Sequence, residues 1–169
     1  MELSSAGTSG KKFMPLSNIL KPEAVIASLR ARGKKQALQE ISAVAGKLCG
    51  FDAQHLLDKL LERERLGTTG AGQGIAIPHA KLVEAKHVMG FFARLEQPID
   101  FESIDDRPVD LIFMLIAPEA AGAEHLRALA QVSRLLRNQE LCAKLRGSHE
   151  RAALYALLTE PAAISSSAA

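Results

Sequence analysis

The chain has 169 residues, of which 47% are hydrophobic and 24% charged, and its formal net charge is +2. These values are typical of one soluble globular domain, and so small a net charge gives no support for nucleic acid or an anionic membrane as a partner. With no tryptophan, one tyrosine and six phenylalanines, the chain is also poor in the aromatic residues on which single-stranded nucleic acid stacks, so binding of that kind is unsupported.

Further features of the sequence predict a cytoplasmic protein. The N-terminus has no apolar region of the kind found in signal peptides, and the longest apolar run, Leu111 to Ala117, is far shorter than the roughly 20 residues of a membrane span. Cys49 and Cys142 lie far apart without CxxC spacing. We therefore expect two buried free thiols, and neither a disulfide framework nor a metal site nor a cofactor.

The first elements in chain order are a tail and a helix. Residues 1–15 begin with a stretch rich in Ser, Gly and Thr, which predicts a mobile N-terminal tail. Pro22 suits the first turn of a helix, so the apolar residues that follow predict a helix from Ala24 to about Arg32, ended by Gly33.

Two longer helices follow. Apolar residues spaced three and four apart predict a helix from about Lys35 to Leu48. A third helix begins after Asp52, a residue that caps helix N-termini well. Arg63 and Arg65 fall in its last turn before Gly67, where cations and glycine are expected.

The middle of the chain is predicted to form the sheet. Short strands are expected at Ile75–Ile77 and Val88–Leu95, with turns at Gln97–Pro98 and at Asp105–Pro108. The continuous apolar run from Val109 to Ala117 predicts a central strand that is buried on both faces.

The C-terminal part is predicted to be helical. Helices are expected at about 122–137, 139–145 and 150–158, followed by a flexible tail over residues 160–169. The first of these is expected to bury one face, which comprises Leu126, Leu129, Ala130, Ser133 and Leu136. The whole pattern predicts a single α/β domain over residues 16–159, with a mixed central sheet flanked by helices.

The most specialised stretch runs from Gly67 to His79. Glycines let backbone N–H groups converge, and threonine hydroxyls add donors, so such a loop is typical of a phosphate site. The P-loop pattern fails because Gly74 is followed by Ile75, and the dinucleotide pattern fails in both spacing and order. We therefore expect the phosphate to be carried on the protein, with a binding loop formed by Thr68, Thr69, Gly70, Gly72 and Gly74.

The candidate carrier is His79, which follows Pro78. A neutral imidazole is a good nucleophile near neutral pH and can accept a phosphoryl group covalently. Phosphoryl transfer then needs positioning and a cation. Arg63 and Arg65 are equally placed to supply that cation, so the residues alone leave both open.

The sequence from Arg63 to His79 reads RERLGTTGAGQGIAIPH. This segment resembles the signature of the fructose/mannitol-type IIA domains of the bacterial phosphotransferase system, and most closely their stand-alone nitrogen-regulatory members. Later matching segments are QPIDF at residues 97–101, DDRPVDLIF at residues 105–113, and Pro118 followed by His125-Leu126.

The resemblance implies that His79 receives phosphate from the histidine-containing phosphocarrier protein. It implies Arg63 rather than Arg65 as the active-site arginine, and it adds His125 as a second active-site histidine near the phosphoryl group. The remaining histidines match no motif position, and we expect them at the surface: His55, His87 and His149.

Three functions are compatible with these residues. The first is a regulator whose phosphorylation state controls targets such as transporters or sensor kinases, and the chain is too short to include a fused permease or carrier domain. The second is a sugar-specific IIA component that passes phosphate to a separate IIB domain. The third is an anion-binding module that never carries covalent phosphate.

Overall fold

The structure is a computed structural model that describes residues 14–160. Its strands are β1 Leu20–Leu29, β2 Gly70–Gly72, β3 Ile75–Ala76, β4 His79–Leu82, β5 Met89–Ile99 and β6 Val109–Pro118. Its helices are α1 Lys34–Cys49, α2 Ala53–Leu66, α3 Gly122–Leu136, α4 Gln139–Arg146 and α5 Arg151–Thr159, preceded by a 3₁₀ turn at Leu16–Asn18.

The strands form one mixed sheet in the order β1-β5-β6-β3-β2, with β4 also paired to β6. β6 lies at the centre of this order, and its apolar run from Leu111 to Ala117 is wholly inaccessible to solvent. A strand buried on both faces needs helices on both sides of the sheet. One group is α1 packed on α2, with α1 against β1 and α2 against β4, and the other is α3, α4 and α5. The predicted fold class and central strand are confirmed.

Most predicted helices are also confirmed. α1 and α2 lie where the apolar spacing placed them, and the Asp52 carboxylate accepts hydrogen bonds from the backbone N–H groups of Gln54 and His55. α4 and α5 match their expected positions within a residue or two. Cys142 is buried as expected, but Cys49 is exposed at the end of α1, so the prediction of a second buried thiol was wrong.

The predicted helix from Ala24 to Arg32 was wrong, because most of that segment belongs to β1. Among the described strands, β1 lies at the edge of the sheet and pairs only with β5, in parallel. Edge strands tolerate proline, and Pro22 lies where the pairing register shifts between Leu20 and Val25. Pairing with β5 thus outweighs the local sequence features that favour a helix in this segment.

The predicted turn at Gln97–Pro98 was also wrong, because both residues lie within β5. The last pairing between β1 and β5 joins Leu29 to Leu95, so Pro98 lies beyond the end of β1 and its missing N–H breaks no bond to that strand. The pairing with β6 is irregular over the same stretch, between Arg94 and Ile99.

The buried face of α3 differs from the predicted one by about one residue. Its buried residues are His125, Ala128, Val132 and Leu136. Leu126 is 68% exposed instead. Apolar side chains occur on both sides of this helix, so spacing alone could not choose between two adjacent stripes.

β3 and β4 behave as one interrupted strand beside β6. Ile75 pairs with Leu111 and His79 pairs with Leu115, so the register is unchanged across the gap. Pro78 has no N–H, but its carbonyl accepts a hydrogen bond from Leu115 N at 2.9 Å. The interruption therefore lies immediately before His79.

The predicted tails, 1–15 and 160–169, lie outside the described residues apart from Met14, Pro15 and Glu160. The Met14 carbonyl accepts a hydrogen bond from the Gln131 side chain at 2.7 Å, which ties the start of the described chain to α3. Within residues 14–160, no helix is both long and apolar enough to cross a membrane.

Candidate functional site

Three of the predicted site residues line one open cavity of about 780 Å³, formed by the end of α2, the start of β4 and the start of α3. These are Arg63, His79 and His125. Leu66 and Leu126 also line the cavity, and they are 82% and 68% exposed. Exposed apolar side chains around a polar centre are typical of a surface that another protein contacts.

His79 is the first residue of β4 and is half-buried. Its Nδ1 lies 2.9 Å from the carbonyl oxygen of Ile77. A carbonyl can only accept, so Nδ1 carries the proton and Nε2 keeps its lone pair. The N–H of Ile77 donates to the Thr69 carbonyl at 3.0 Å, which fixes Ile77 from its other side. The backbone thereby determines which ring nitrogen can act as a nucleophile.

The pKa of His79 is lowered from its usual value of 6.5, and burial of the ring is the largest cause. The hydrogen bond to Ile77 opposes that shift, the charge of Arg63 adds to it, and Glu64 opposes it. A lowered pKa favours the neutral imidazole at neutral pH, which is the form that has a lone pair.

His125 lies on the buried face of α3 and is only 5% exposed. Its ring stands edge-on to that of His79, with centroids 5.4 Å apart and planes at 73°. The pKa of His125 is lowered to about 4, chiefly by burial and to a smaller extent by positive charge on His79 and Lys81. Among the described residues its Nε2 has no hydrogen-bond partner. A neutral ring with an unpaired polar atom therefore faces His79.

The structure separates the two candidate arginines. Arg63 is half-buried, lines the cavity with His79, and donates from Nη1 to the Gly67 carbonyl at 2.8 Å. Arg65 is exposed and does not line the cavity. Since a guanidinium has five N–H donors, the bond to Gly67 leaves others for a phosphate oxygen.

The structure does not bring the predicted phosphate-binding loop to the cavity, whose walls include none of Thr68, Thr69, Gly70, Gly72 and Gly74. The Thr68 hydroxyl donates to the Phe101 carbonyl, and Thr69 donates to Glu64 through both its N–H and its hydroxyl. The threonine donors are thus engaged within the protein. This geometry gives no support for a direct anion cradle.

The glycines instead allow close packing of the β2–β3 hairpin. A Cβ on Gly70 would lie 2.3 Å from the Ser103 hydroxyl. Gly74 has a φ of +82°, and a Cβ there would lie 2.5 Å from the Arg146 guanidinium. The glycine pattern that suggested a phosphate site thus reflects crowding around this hairpin.

Sequence reasoning missed Glu64, although the signal was present. Glu64 follows Leu57 and Leu60 at spacings of three and four, which places it on the buried stripe of α2. It is 7% exposed and forms an ion pair with Lys34, with Nζ and Oε1 2.9 Å apart. A carboxylate on an apolar stripe indicates a buried partner, and such partners are usually charged.

A second cavity, of about 440 Å³, lies between β1 and the end of α1 and contains none of the predicted site residues. Within residues 14–160, no group of three or more His, Cys, Asp or Glu side chains is arranged to hold a metal ion. His55, His87 and His149 are exposed, as expected.

Comparisons with known proteins agree on one family. The family model described as "Phosphoenolpyruvate-dependent sugar phosphotransferase system, EIIA 2" matches residues 18–160. A nitrogen regulatory protein of Bradyrhizobium diazoefficiens is 51% identical over 150 residues, covering 89% of this chain and 98% of that protein. A fructose-specific EIIA component of Haloferax volcanii is 38% identical over 128 residues, covering 76% of this chain and 82% of that protein.

A solved structure supports the same assignment of the fold. The crystal structure of the nitrogen regulatory protein IIA-Ntr from Neisseria meningitidis superposes with a TM-score of 0.81 at 30% identity. The match covers 85% of this chain and 99% of that one.

The low pKa of His125 predicts a specific pH response. NMR titration of the ring should show His125 protonating at about 4 instead of 6.5. The unfolded chain then binds more protons than the folded chain between those values. The stability that neutral His125 contributes is complete above pH 6.5 and is lost as the pH falls through about 4.

The matched control is His79→Ala, which removes one of the positive charges acting on His125. In that variant the pKa of His125 should rise but stay below 6.5, because burial is the larger cause. A midpoint near 6.5 in the wild-type protein would contradict the buried placement of this ring.

Proposed function

Because the chain belongs to the EIIA 2 family of the phosphoenolpyruvate-dependent sugar phosphotransferase system, we propose that it accepts a phosphoryl group on Nε2 of His79 and regulates partner proteins through that modification. The observation that carries the proposal is the hydrogen bond from His79 Nδ1 to the Ile77 carbonyl, because it leaves the lone pair on Nε2. The proposed donor is a histidine-containing phosphocarrier protein.

The proposed step is a transfer between two imidazoles. The Nε2 lone pair of His79 forms a bond to phosphorus while the bond from phosphorus to the donor imidazole breaks, and its electron pair stays on the donor nitrogen. The phosphorylated ring of His79 keeps its proton on Nδ1. The Ile77 carbonyl, 2.9 Å away, stabilises the positive charge that develops on that ring.

Two side chains are placed to stabilise the phosphoryl oxygens. Arg63 lines the same cavity and provides a planar fork of donors. His125 stands beside His79 with its Nε2 unpaired among the described residues, so a phosphoryl oxygen on His79 is the partner we propose for it. Placement of donors where charge develops is the main requirement of phosphoryl transfer.

A regulatory output is favoured by the relatives. The nitrogen regulatory protein matches nearly the whole chain at 51% identity, whereas the fructose-specific component matches a shorter stretch at 38%. We propose that the targets include transporters or sensor kinases, which would bind around the exposed Leu66 and Leu126. The second candidate is transfer to a separate IIB domain, as the fructose-specific relative suggests.

Labelling tests the chemistry directly. Incubation with phosphoenolpyruvate, the first enzyme of the system and its phosphocarrier should add one acid-labile phosphoryl group, measured by intact mass. His79→Ala should gain none, whereas His55→Ala, altered at an exposed histidine away from the cavity, should label fully. Equal labelling of His79→Ala and the wild type would disprove the acceptor assignment, and no labelling of any variant would favour an anion-binding module.

The two arginines provide a matched pair in the same assay. Arg63→Ala should slow labelling roughly tenfold to a hundredfold, the loss expected for one hydrogen bond to a charged group at ~1.5–3 kcal/mol. Arg65→Ala should label like the wild type, because Arg65 lies outside the cavity. If Arg65→Ala were the slow variant, the placement of the cation would be wrong.

The regulatory output predicts partners that depend on phosphorylation. Affinity capture from a bacterial extract should recover different proteins with the phosphorylated and unphosphorylated forms. His79→Ala should keep the partners of the unphosphorylated form whether or not phosphoenolpyruvate is present. An unchanged partner set, together with rapid transfer of the label to a purified fructose-type IIB domain, would favour the sugar-specific function.

A further inference from the structure

We propose that Lys34, Glu64 and Thr69 form a positioning cluster that holds Ile77 so that His79 presents Nε2 as its nucleophile. The functional consequence of this cluster rests on the proposed phosphorylation of His79. None of the three side chains lines the cavity around His79. The cluster therefore acts through the backbone and not by contact with the phosphoryl group.

The cluster is centred on the buried carboxylate of Glu64. Its Oε1 forms an ion pair with Lys34 Nζ at 2.9 Å and accepts a hydrogen bond from Thr69 N at 3.0 Å. Its Oε2 accepts from the Thr69 hydroxyl. The side chains of Lys34 and Glu64 are only 15% and 3% exposed. A carboxylate this buried keeps one arrangement, because any other would leave a charge without its partners.

Lys34 is itself held from several sides. Its Nζ lies 4.9 Å from the centre of the Phe101 ring and 3.5 Å from the Glu102 carboxylate. Lys34 is the first residue of α1, whereas Glu64 lies in the last turn of α2. The ion pair therefore fixes the two helices to each other at the end where α2 leads into the hairpin.

Thr69 transmits this position to the acceptor histidine. Its backbone N–H is held by Glu64, and its carbonyl accepts from Ile77 N at 3.0 Å. The Ile77 carbonyl in turn accepts from His79 Nδ1 at 2.9 Å. Three consecutive hydrogen bonds, through Thr69 and Ile77, thus connect the buried carboxylate to the ring nitrogen that must keep its proton.

The backbone of Ile77 faces away from β6. The next residue, Pro78, directs its carbonyl to β6, where it accepts from Leu115 N at 2.9 Å. Because successive residues of a strand direct their backbone groups to opposite sides, Ile77 directs its own away from β6. Its N–H donates to Thr69 and its carbonyl accepts from His79 Nδ1. Thr69 is therefore the neighbour through which the cluster restrains Ile77.

The test measures the ring tautomer of His79 in unphosphorylated protein by ¹⁵N NMR, at a pH where the ring is neutral. The wild type should show the proton on Nδ1 alone. Thr69→Val removes the hydroxyl donor, and Glu64→Gln removes the negative charge, so both should show a mixture of the two tautomers. Thr69→Ser keeps the hydroxyl and should restore the wild-type spectrum.

The matched control for Glu64→Gln is Glu102→Gln. Glu102 is the second carboxylate near Lys34 but is 75% exposed, and within residues 14–160 it makes no hydrogen bond to Thr69. This control should leave the tautomer unchanged. Should Glu64→Gln fail to fold, Thr69→Val still decides the outcome, because it leaves the ion pair in place.

Kinetics provide the second readout. With the phosphocarrier as donor, Thr69→Val should lower kcat roughly tenfold, the effect of about 1.4 kcal/mol, while KM stays within about twofold because the cavity rim is unaltered. If Thr69→Val and Glu64→Gln lower only the melting temperature and keep the wild-type tautomer, the cluster is merely structural and the inference is overturned.

The tautomer experiment uses no phosphate donor, so its result is independent of whether His79 is phosphorylated. An unlabelled wild-type protein would contradict the proposed function and leave the positioning result standing. A labelled wild type with unchanged tautomers in both variants would contradict the positioning role alone.

Discussion

The hydrogen bond from His79 Nδ1 to the Ile77 carbonyl is the interaction on which the rest of the site depends. It assigns the proton to one ring nitrogen and the lone pair to the other. Pro78 accepts from Leu115 of β6, so Ile77 before it directs its backbone groups away from β6. The sheet therefore positions His79, and the Ile77 carbonyl determines which ring nitrogen keeps its proton. Arg63 lies on α2 and His125 lies on α3, and both side chains line the same cavity as His79.

Around this site, some polar side chains are buried and some apolar side chains are exposed. His125 and Glu64 are almost fully buried, while Leu66 and Leu126 are largely exposed on the rim of the cavity. The Glu64 carboxylate holds its position, because moving it would leave its hydrogen bonds to Thr69 unmade. Exposed apolar groups are available to a partner protein. This division suits the role proposed for His79, which requires a fixed ring that a second protein can reach.

The sequence predicted much of this and missed identifiable parts. The long helices and β6 followed from strong periodicity and from a continuous apolar run. β1 was mistaken for a helix because its identity depends on pairing with β5, which is far away in sequence. A motif predicted His79 and Arg63 as site residues, and the two line one cavity. The packing role of the glycines was not predicted, since close packing and anion binding both favour glycine. Burial of His125 depends on the rotation of α3 about its axis, which places the buried stripe about one residue from the predicted one. The spacing of apolar residues alone does not determine that rotation.

The central claim is that the backbone selects Nε2 of His79 as the phosphoryl acceptor. The most direct test is the position of phosphorus on the ring of the phosphorylated protein, measured by NMR correlation between phosphorus and the ring nitrogens and protons under alkaline conditions that preserve phosphohistidine. The account predicts phosphorus on Nε2, with Nδ1 still protonated and bonded to Ile77. Phosphorus on Nδ1 would contradict it, because that nitrogen could accept the group only after the bond to Ile77 had been broken.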